Sequence, residues 1–157
     1  MCGRFANNET IPVLAGRWAA AGADGAADWQ PNDDVRPSQR MPALLDGARG
    51  LRLGLMAWGW SRDFARSEDA ARKPTFAEAF ARRRCLLPAE AWFEWQAGEG
   101  GKRKHRLRPD GLATWALAGL WEPVALPDGG RSAAGAAGSW LDGRPAPAPL
   151  PAVASAC

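Results

Sequence analysis

The sequence predicts an α+β fold in a single domain, built mostly of antiparallel strands with a few helices. Two stretches carry apolar residues at helical spacing, one over residues 10–21 and one starting at Pro74. A series of short apolar or aromatic runs lies between Gly, Pro, Asp and Asn clusters, as strands do. The Gly-rich link at residues 98–101 is short enough to join antiparallel neighbours, and a turn at 109–111 leads to one more strand. A chain of 157 residues can enclose one core, and no break in composition calls for a second.

The elements follow in order. Over residues 10–21, Thr10 suits the helix cap, Ile11, Leu14 and Trp18 form one stripe, and Gly22 offers a stop. Residues 23–39 are rich in Gly, Asp, Asn and Pro and read as a loop. Residues 41–45 and 52–60 read as strands, with Gly54 and Gly59 marking bulges or close backbone approach. Pro74 fits a first helical turn, Phe76, Ala79 and Phe80 share a face, and Arg82, Arg83 and Arg84 suit the dipole at the helix end. Residues 85–87 come next, with a turn expected at Pro88. The aromatic strand 92–96 then folds through a Gly-rich loop into the basic strand 102–108, and a Pro109-Asp110-Gly111 turn leads to a last apolar strand at 113–120. From 131 to 157, sixteen of twenty-seven residues are Ala, Gly or Pro, which predicts a poorly ordered tail. The expected division is a domain over residues 1–126 and a tail over 127–157.

Charge and cysteine usage narrow the function classes. The formal net charge is +3, and twelve of the twenty Lys/Arg lie between Arg62 and Arg108 against seven carboxylates, so a phosphate-bearing partner should meet the middle of the chain. Nine Trp, five Phe and no Tyr make indoles the available stacking platforms as well as the core bulk. Cys2, Cys85 and Cys157 form no CxxC pair, which predicts free thiols and disfavours zinc. The absence of a long apolar run or an export-type N-terminus predicts a cytoplasmic protein, and nothing suggests more than a monomer.

Cys2 is the sharpest chemical feature. Removing Met1 would leave an α-amine and a thiol on one residue, groups with ordinary pKa values of about 7.7–8.0 and about 8.5. Such a pair captures aldehydes, the amine forming an imine and the thiol closing a thiazolidine ring. Position alone does not distinguish this from a cysteine that happens to follow Met1. Glu94, between Phe93 and Trp95, reads either as a proton shuttle or as a solvent-facing strand residue. Trp58 and Trp95 read as core or as DNA contacts, and the basic runs as phosphate grips or solvated faces. Cys85 reads as a core thiol, and His105 as an exposed side chain in the basic strand.

A series of motifs in one order then adds to these readings. Met1-Cys2-Gly3-Arg4-Phe5 opens it, followed by Asn32 with Arg36-Pro37-Ser38-Gln39 and by Trp58-Gly59-Trp60. Lys73-Pro74-Thr75-Phe76, Arg82-Arg83-Arg84-Cys85-Leu86-Leu87-Pro88-Ala89 and Trp92-Phe93-Glu94-Trp95 come next, and Ala118-Gly119-Leu120-Trp121-Glu122 closes it. The series resembles the SOS-response-associated peptidase (SRAP) family of abasic-site-processing proteins, over about residues 1–126. The resemblance implies a single SRAP-like domain in which Cys2 is the nucleophile and Glu94 the catalytic carboxylate. It also implies that Arg4, Asn32, Trp58 and Arg66 line a DNA path, to which Trp95 is added as a candidate. The implied partner is single-stranded DNA with abasic sites, met in the DNA damage response and the nucleoid, with no cofactor and no metal.

Two departures qualify that expectation. Phe64 stands where the family has an asparagine, and no segment matches the family's His-Asp-Arg-Met-Pro. The domain therefore reads as truncated or internally deleted, with a degenerate C-terminal part. A crosslinking, lyase-like enzyme that loses Met1 should then be impaired, above all in reversal. A non-covalent single-strand-binding remnant and an inactive fragment remain as alternatives.

Overall fold

The structure, a computed structural model, describes residues 3–23, 26–59, 71–112, 115–125 and 131–137. Its elements run β1 (Arg4–Asn7), α1 (Ile11–Arg17), β2 (Asn32–Val35), β3 (Arg40–Gly47), β4 (Gly50–Gly59), α2 (Pro74–Arg82), β5 (Arg84–Ala89), β6 (Ala91–Gly98), β7 (Gly101–Leu107), β8 (Trp115–Leu120), β9 (Glu122–Ala125) and β10 (Arg131–Ala137). The strands form a four-stranded sheet, β2-β1-β6-β7, and a six-stranded sheet, β8-β5-β3-β4-β10-β9. All strand pairs are antiparallel except β4 with β10. The α+β expectation therefore holds.

Alternating side chains build the main core between the two sheets. Phe5 and Val35 come from the smaller sheet, and Met41, Ala43, Cys85 and Leu87 from the larger one. Fully burying a side chain of this size contributes about 1.5–3 kcal/mol. The other face of β3 and β4 gives Leu44 and Leu53 to Leu14 of α1, with Ile11 and Trp18 packed alongside. In α2, Phe76 and Ala79 are buried while Phe80 is 42% exposed, so the apolar stripe is narrower than the spacing suggests.

Several boundaries differ from the sequence reading. Helix α1 stops at Arg17 rather than near residue 21, because Ala19 adopts φ 47° and the Ala20 and Ala19 N–H groups close back onto Ala15 and Gly16 carbonyls at 2.9 and 3.3 Å. This is a Schellman closure with alanine in glycine's usual place. Thr10 precedes the helix, but its side chain makes no capping bond. Residues 32–35, read as loop, form β2, which pairing with β1 stabilises despite the poor strand propensity of Asn-Asp-Asp. Pro88 lies inside β5 opposite Ala116 rather than at a turn. The chain changes sheets two residues later at Glu90, whose N–H donates to the Ala6 carbonyl at 2.9 Å. Asn7, fully buried, locks the same corner by donating to the Pro88 carbonyl at 2.9 Å. Residues 131–137, within the segment read as tail, form β10 between β4 and β9.

Candidate active site

The sheets bring the N-terminal strand together with two segments far away in sequence. The Trp58 indole N–H donates to the Gly3 carbonyl at 3.0 Å, and its ring meets Phe5 edge-on at 5.6 Å between centroids. Trp58 is itself fixed through its backbone: it accepts from Ser38 N–H at 2.6 Å and donates to Gln39 O at 2.8 Å. The tight fit of these segments uses Ser38 at φ 72° and Gly59 at φ 112°, the latter a conformation that strains any side chain. The chain immediately after Cys2 is thus held by hydrogen bonding and packing together. Cys2 itself lies outside the described residues, as does Arg66.

Arg4 projects from β1 to the outer face of the small sheet. Its guanidinium forks onto Asp34, with Nε at 2.7 Å from Oδ1, and sits 5.6 Å from the centroid of the Trp95 ring. Asp34 also pairs with Arg36 at 3.2 Å and with Lys104 at 3.3 Å. Asp33 pairs with Arg106, whose hydrogen bond, more than any other interaction, lowers the Asp33 pKa. Lys104 stands 3.8 Å from the centroid of Phe93, and desolvation there, followed by the Arg4 and Arg36 charges, pulls its ammonium below the ordinary lysine range. The two edge strands β2 and β7 thereby reach each other over Phe93, which with Ala6 and Ala91 forms a small buried cluster under the charges. Trp95 escapes this cover and is 38% exposed, an indole face backed by a cation.

Glu94 follows Phe93 and belongs to the opposite face of the sheet, where it is half-buried. It therefore does not simply point into solvent. The Arg4↔Phe93 pairing sets Gly3 abreast of Glu94 at the next step of the register. On the other side Glu94 pairs with His105, which is half-buried rather than exposed as expected. Asn32 has a more local role: its side-chain carbonyl accepts from Asp34 N–H at 2.8 Å and its amide reaches Gln39 at 3.5 Å, shaping the turn beside the Arg4–Asp34 pair.

Arg4, Trp58, Glu94 and Trp95 thus gather around Gly3, and Asn32 supports them through Asp34. The sequence reading missed Gly3, Asp34 and Ser38. Asp34 carries no signal because its strand reads as loop, whereas Gly3 and Ser38 lie inside motifs already noted but were given no role of their own. Of the arginine cluster, Arg83 is structural: Nε donates to Trp121 O at 3.1 Å and Nη1 to Glu78 at 2.7 Å. Cys85 is buried, which pushes its thiol up to about 12, and it lies so close under Gly119 that a Cβ there would come within 2.8 Å of its sulfur. Among the described residues no group of three His, Cys, Asp or Glu could hold a metal ion, and no helix is long and apolar enough to cross a membrane.

Residues 1–137 match the family model described as SOS response associated peptidase (SRAP). The abasic site processing protein YoaM of Bacillus subtilis is 29% identical over 135 residues, covering 78% of this chain and 60% of that protein. YoqW of the same organism, also described as an abasic site processing protein, is 27% identical over 142 residues, covering 82% of this chain and 63% of that one. This chain therefore spans somewhat under two thirds of the length of these relatives. Crystal structures of a Bacteroides thetaiotaomicron protein and a Bordetella bronchiseptica protein share the fold, with TM-scores of 0.72 and 0.68 at 17% and 20% identity. Each alignment covers 85% of this chain, and 66% and 69% of the other chain respectively.

Proposed function

The chain belongs to the SOS response associated peptidase (SRAP) family, and on that premise we propose that it processes abasic sites in single-stranded DNA through a covalent bond to Cys2. Loss of Met1 frees the α-amine of Cys2, which attacks the aldehyde of the ring-opened sugar. An N–C bond forms, the carbonyl oxygen leaves as water, and the thiol adds to the imine carbon to close a thiazolidine. Aldehyde plus aminothiol gives thiazolidine plus water, with no oxidation or reduction. Two protons move from nitrogen and sulfur to the departing oxygen, and we assign that traffic to Glu94, whose strand runs beside Gly3.

The observation that carries this reading is the Trp58–Gly3 hydrogen bond. It anchors the backbone one residue from Cys2, beside the strand that bears Glu94. Such anchoring limits the freedom of a terminus that would otherwise fray, and orientation is a large part of what a site contributes to a two-step condensation. Exposed Trp95, backed by Arg4, offers a stacking surface for an unpaired base nearby.

The test is incubation of the purified chain with a single-stranded oligonucleotide carrying one abasic site, followed by a denaturing gel. The expected result is a denaturant-resistant adduct that disappears in Cys2→Ala, from protein whose mass shows Met1 removed. Salt-sensitive retardation with no adduct would replace this reading with non-covalent binding. Retention of Met1 on protein that still forms the adduct would exclude the α-amine as the nucleophile.

A further inference from the structure

The chain has a single histidine, and it stands directly opposite Glu94. Cross-strand partners in an antiparallel pair share a face, with Cβ atoms roughly 4.5–5.5 Å apart, so imidazole and carboxyl are within reach of each other by side-chain rotation. His105 lies on the edge strand β7, where its neighbours Lys104 and Arg106 turn to the outer face and pair with Asp34 and Asp33. The imidazole instead turns to the inner face, and its Nε2 is buried with no hydrogen-bond partner among the described residues. Leaving a buried ring nitrogen unpaired costs about 1–3 kcal/mol, a cost that calls for a reason.

We propose that His105 is a positioning and proton-exchange residue for Glu94, which it serves through their cross-strand pairing. This rests on the reading of Glu94 as the proton shuttle. Thiazolidine formation moves two protons, and a carboxyl group holds only one at a time. A neutral imidazole beside it can accept the carboxyl proton, leaving carboxylate ready for the next, and can return it when the oxygen departs. The exchange is O–H broken and N–H formed, then the reverse, with no net change. On this face, among the described residues, the charged or titratable groups beside the imidazole are Glu94 across the pair and Arg103 two residues along β7, itself opposite Gln96. On the same face, Trp92 of β6 and Phe5 of β1 beyond it are uncharged.

Two measurements test the proposal. The lone histidine gives one imidazole Cε1–H resonance, which needs no assignment. The expected result is a displaced Cε1–H chemical shift in Glu94→Gln relative to the unaltered chain; superimposable resonances would overturn the pairing, whether or not the protein crosslinks DNA. The second is the single-turnover rate of adduct formation on saturating abasic-site oligonucleotide across pH. His105→Gln, which keeps hydrogen bonding but does not titrate, and His105→Phe, which keeps the ring, should both be slowed about tenfold with unchanged oligonucleotide affinity. They should also show a pH profile that differs in shape from that of the unaltered chain, and added free imidazole should restore part of the rate. An unchanged rate and pH profile in both variants would overturn the exchange role. Absence of any adduct in the unaltered chain would instead count against the Cys2 reading, and the Cε1–H chemical shift would still decide the pairing.

Discussion

The two faces of the β2-β1-β6-β7 sheet solve different problems with similar residues. On the outer face Arg4, Arg36, Lys104 and Arg106 are each matched to Asp33 or Asp34 over a small apolar cluster. On the inner face a neutral indole N–H holds a backbone carbonyl, and the ionisable pair Glu94 and His105 stands half-buried next to it. The outer face is thus a charge layer in which an incoming phosphate must compete with an aspartate already in place. The inner face holds its groups by packing and hydrogen bonding, which salt does not screen. Counting basic residues along β7 therefore overstates the phosphate grip, because part of that charge closes the sheet.

The largest expected effect breaks the comparison on the inner face. Glu94→Gln should slow adduct formation by about two orders of magnitude or more, the usual scale for loss of a general acid or base. Oligonucleotide affinity should stay within about twofold, since the change touches no outer-face cation; rates and binding isotherms measured on the same preparation check this. Trp95→Ala should do the reverse. Loss of one stacked base costs about 1–3 kcal/mol, so affinity should fall roughly five- to 150-fold while the rate at saturating DNA holds. If Trp95→Ala changed the saturated rate as strongly as the affinity, the division between faces would be wrong.

Much of the fold was legible because periodicity and turn chemistry agree with it. Pro74, Phe76 and Ala79 set α2, and the Gly98 to Gly101 turn sets the β6–β7 hairpin in the expected place. Strand β2 was not legible, since Asn-Asp-Asp gains its strand conformation from β1 beside it and from Arg4 and Arg106, which come from distant positions. The helix end at Ala19 was hidden for a similar reason: an alanine in the left-handed region carries no local signal, whereas Gly22 nearby carries a misleading one. For the site, the motif series named Cys2, Glu94, Arg4, Asn32, Trp58 and Arg66 as candidates, with Trp95 added to them. Which face each one serves depends on strand register, and register is set by pairing that no single stretch of sequence records.

Two smaller effects sharpen the comparison. Trp58→Phe keeps the edge-on contact with Phe5 in kind but removes the donor to Gly3 O, so about 0.5–1.5 kcal/mol of anchoring is lost. Adduct formation should slow by up to about tenfold, with the thermal unfolding midpoint lowered by only a few degrees. A variant as fast as the unaltered chain would show that the anchored terminus is not limiting.

The smallest effect lies on the outer face. Asp33 is held below its ordinary value near 3.8, first by its hydrogen bond from Arg106. A carboxylate whose folded pKa is lowered adds stability above its unfolded pKa, and that stability is lost as pH falls through the folded value. Both partners are well exposed, at 66% and 41%, so solvent screening keeps the contribution to about 0–1 kcal/mol. Asp33→Asn should therefore cost no more than this in urea unfolding near neutral pH. The difference should shrink as pH drops below about 3.8 and again when salt is raised at neutral pH. A larger cost that ignores both pH and salt would mean that Asp33 supports β2 through its geometry, and the charge layer would then contribute less to closing the sheet than the Phe93 cluster beneath it.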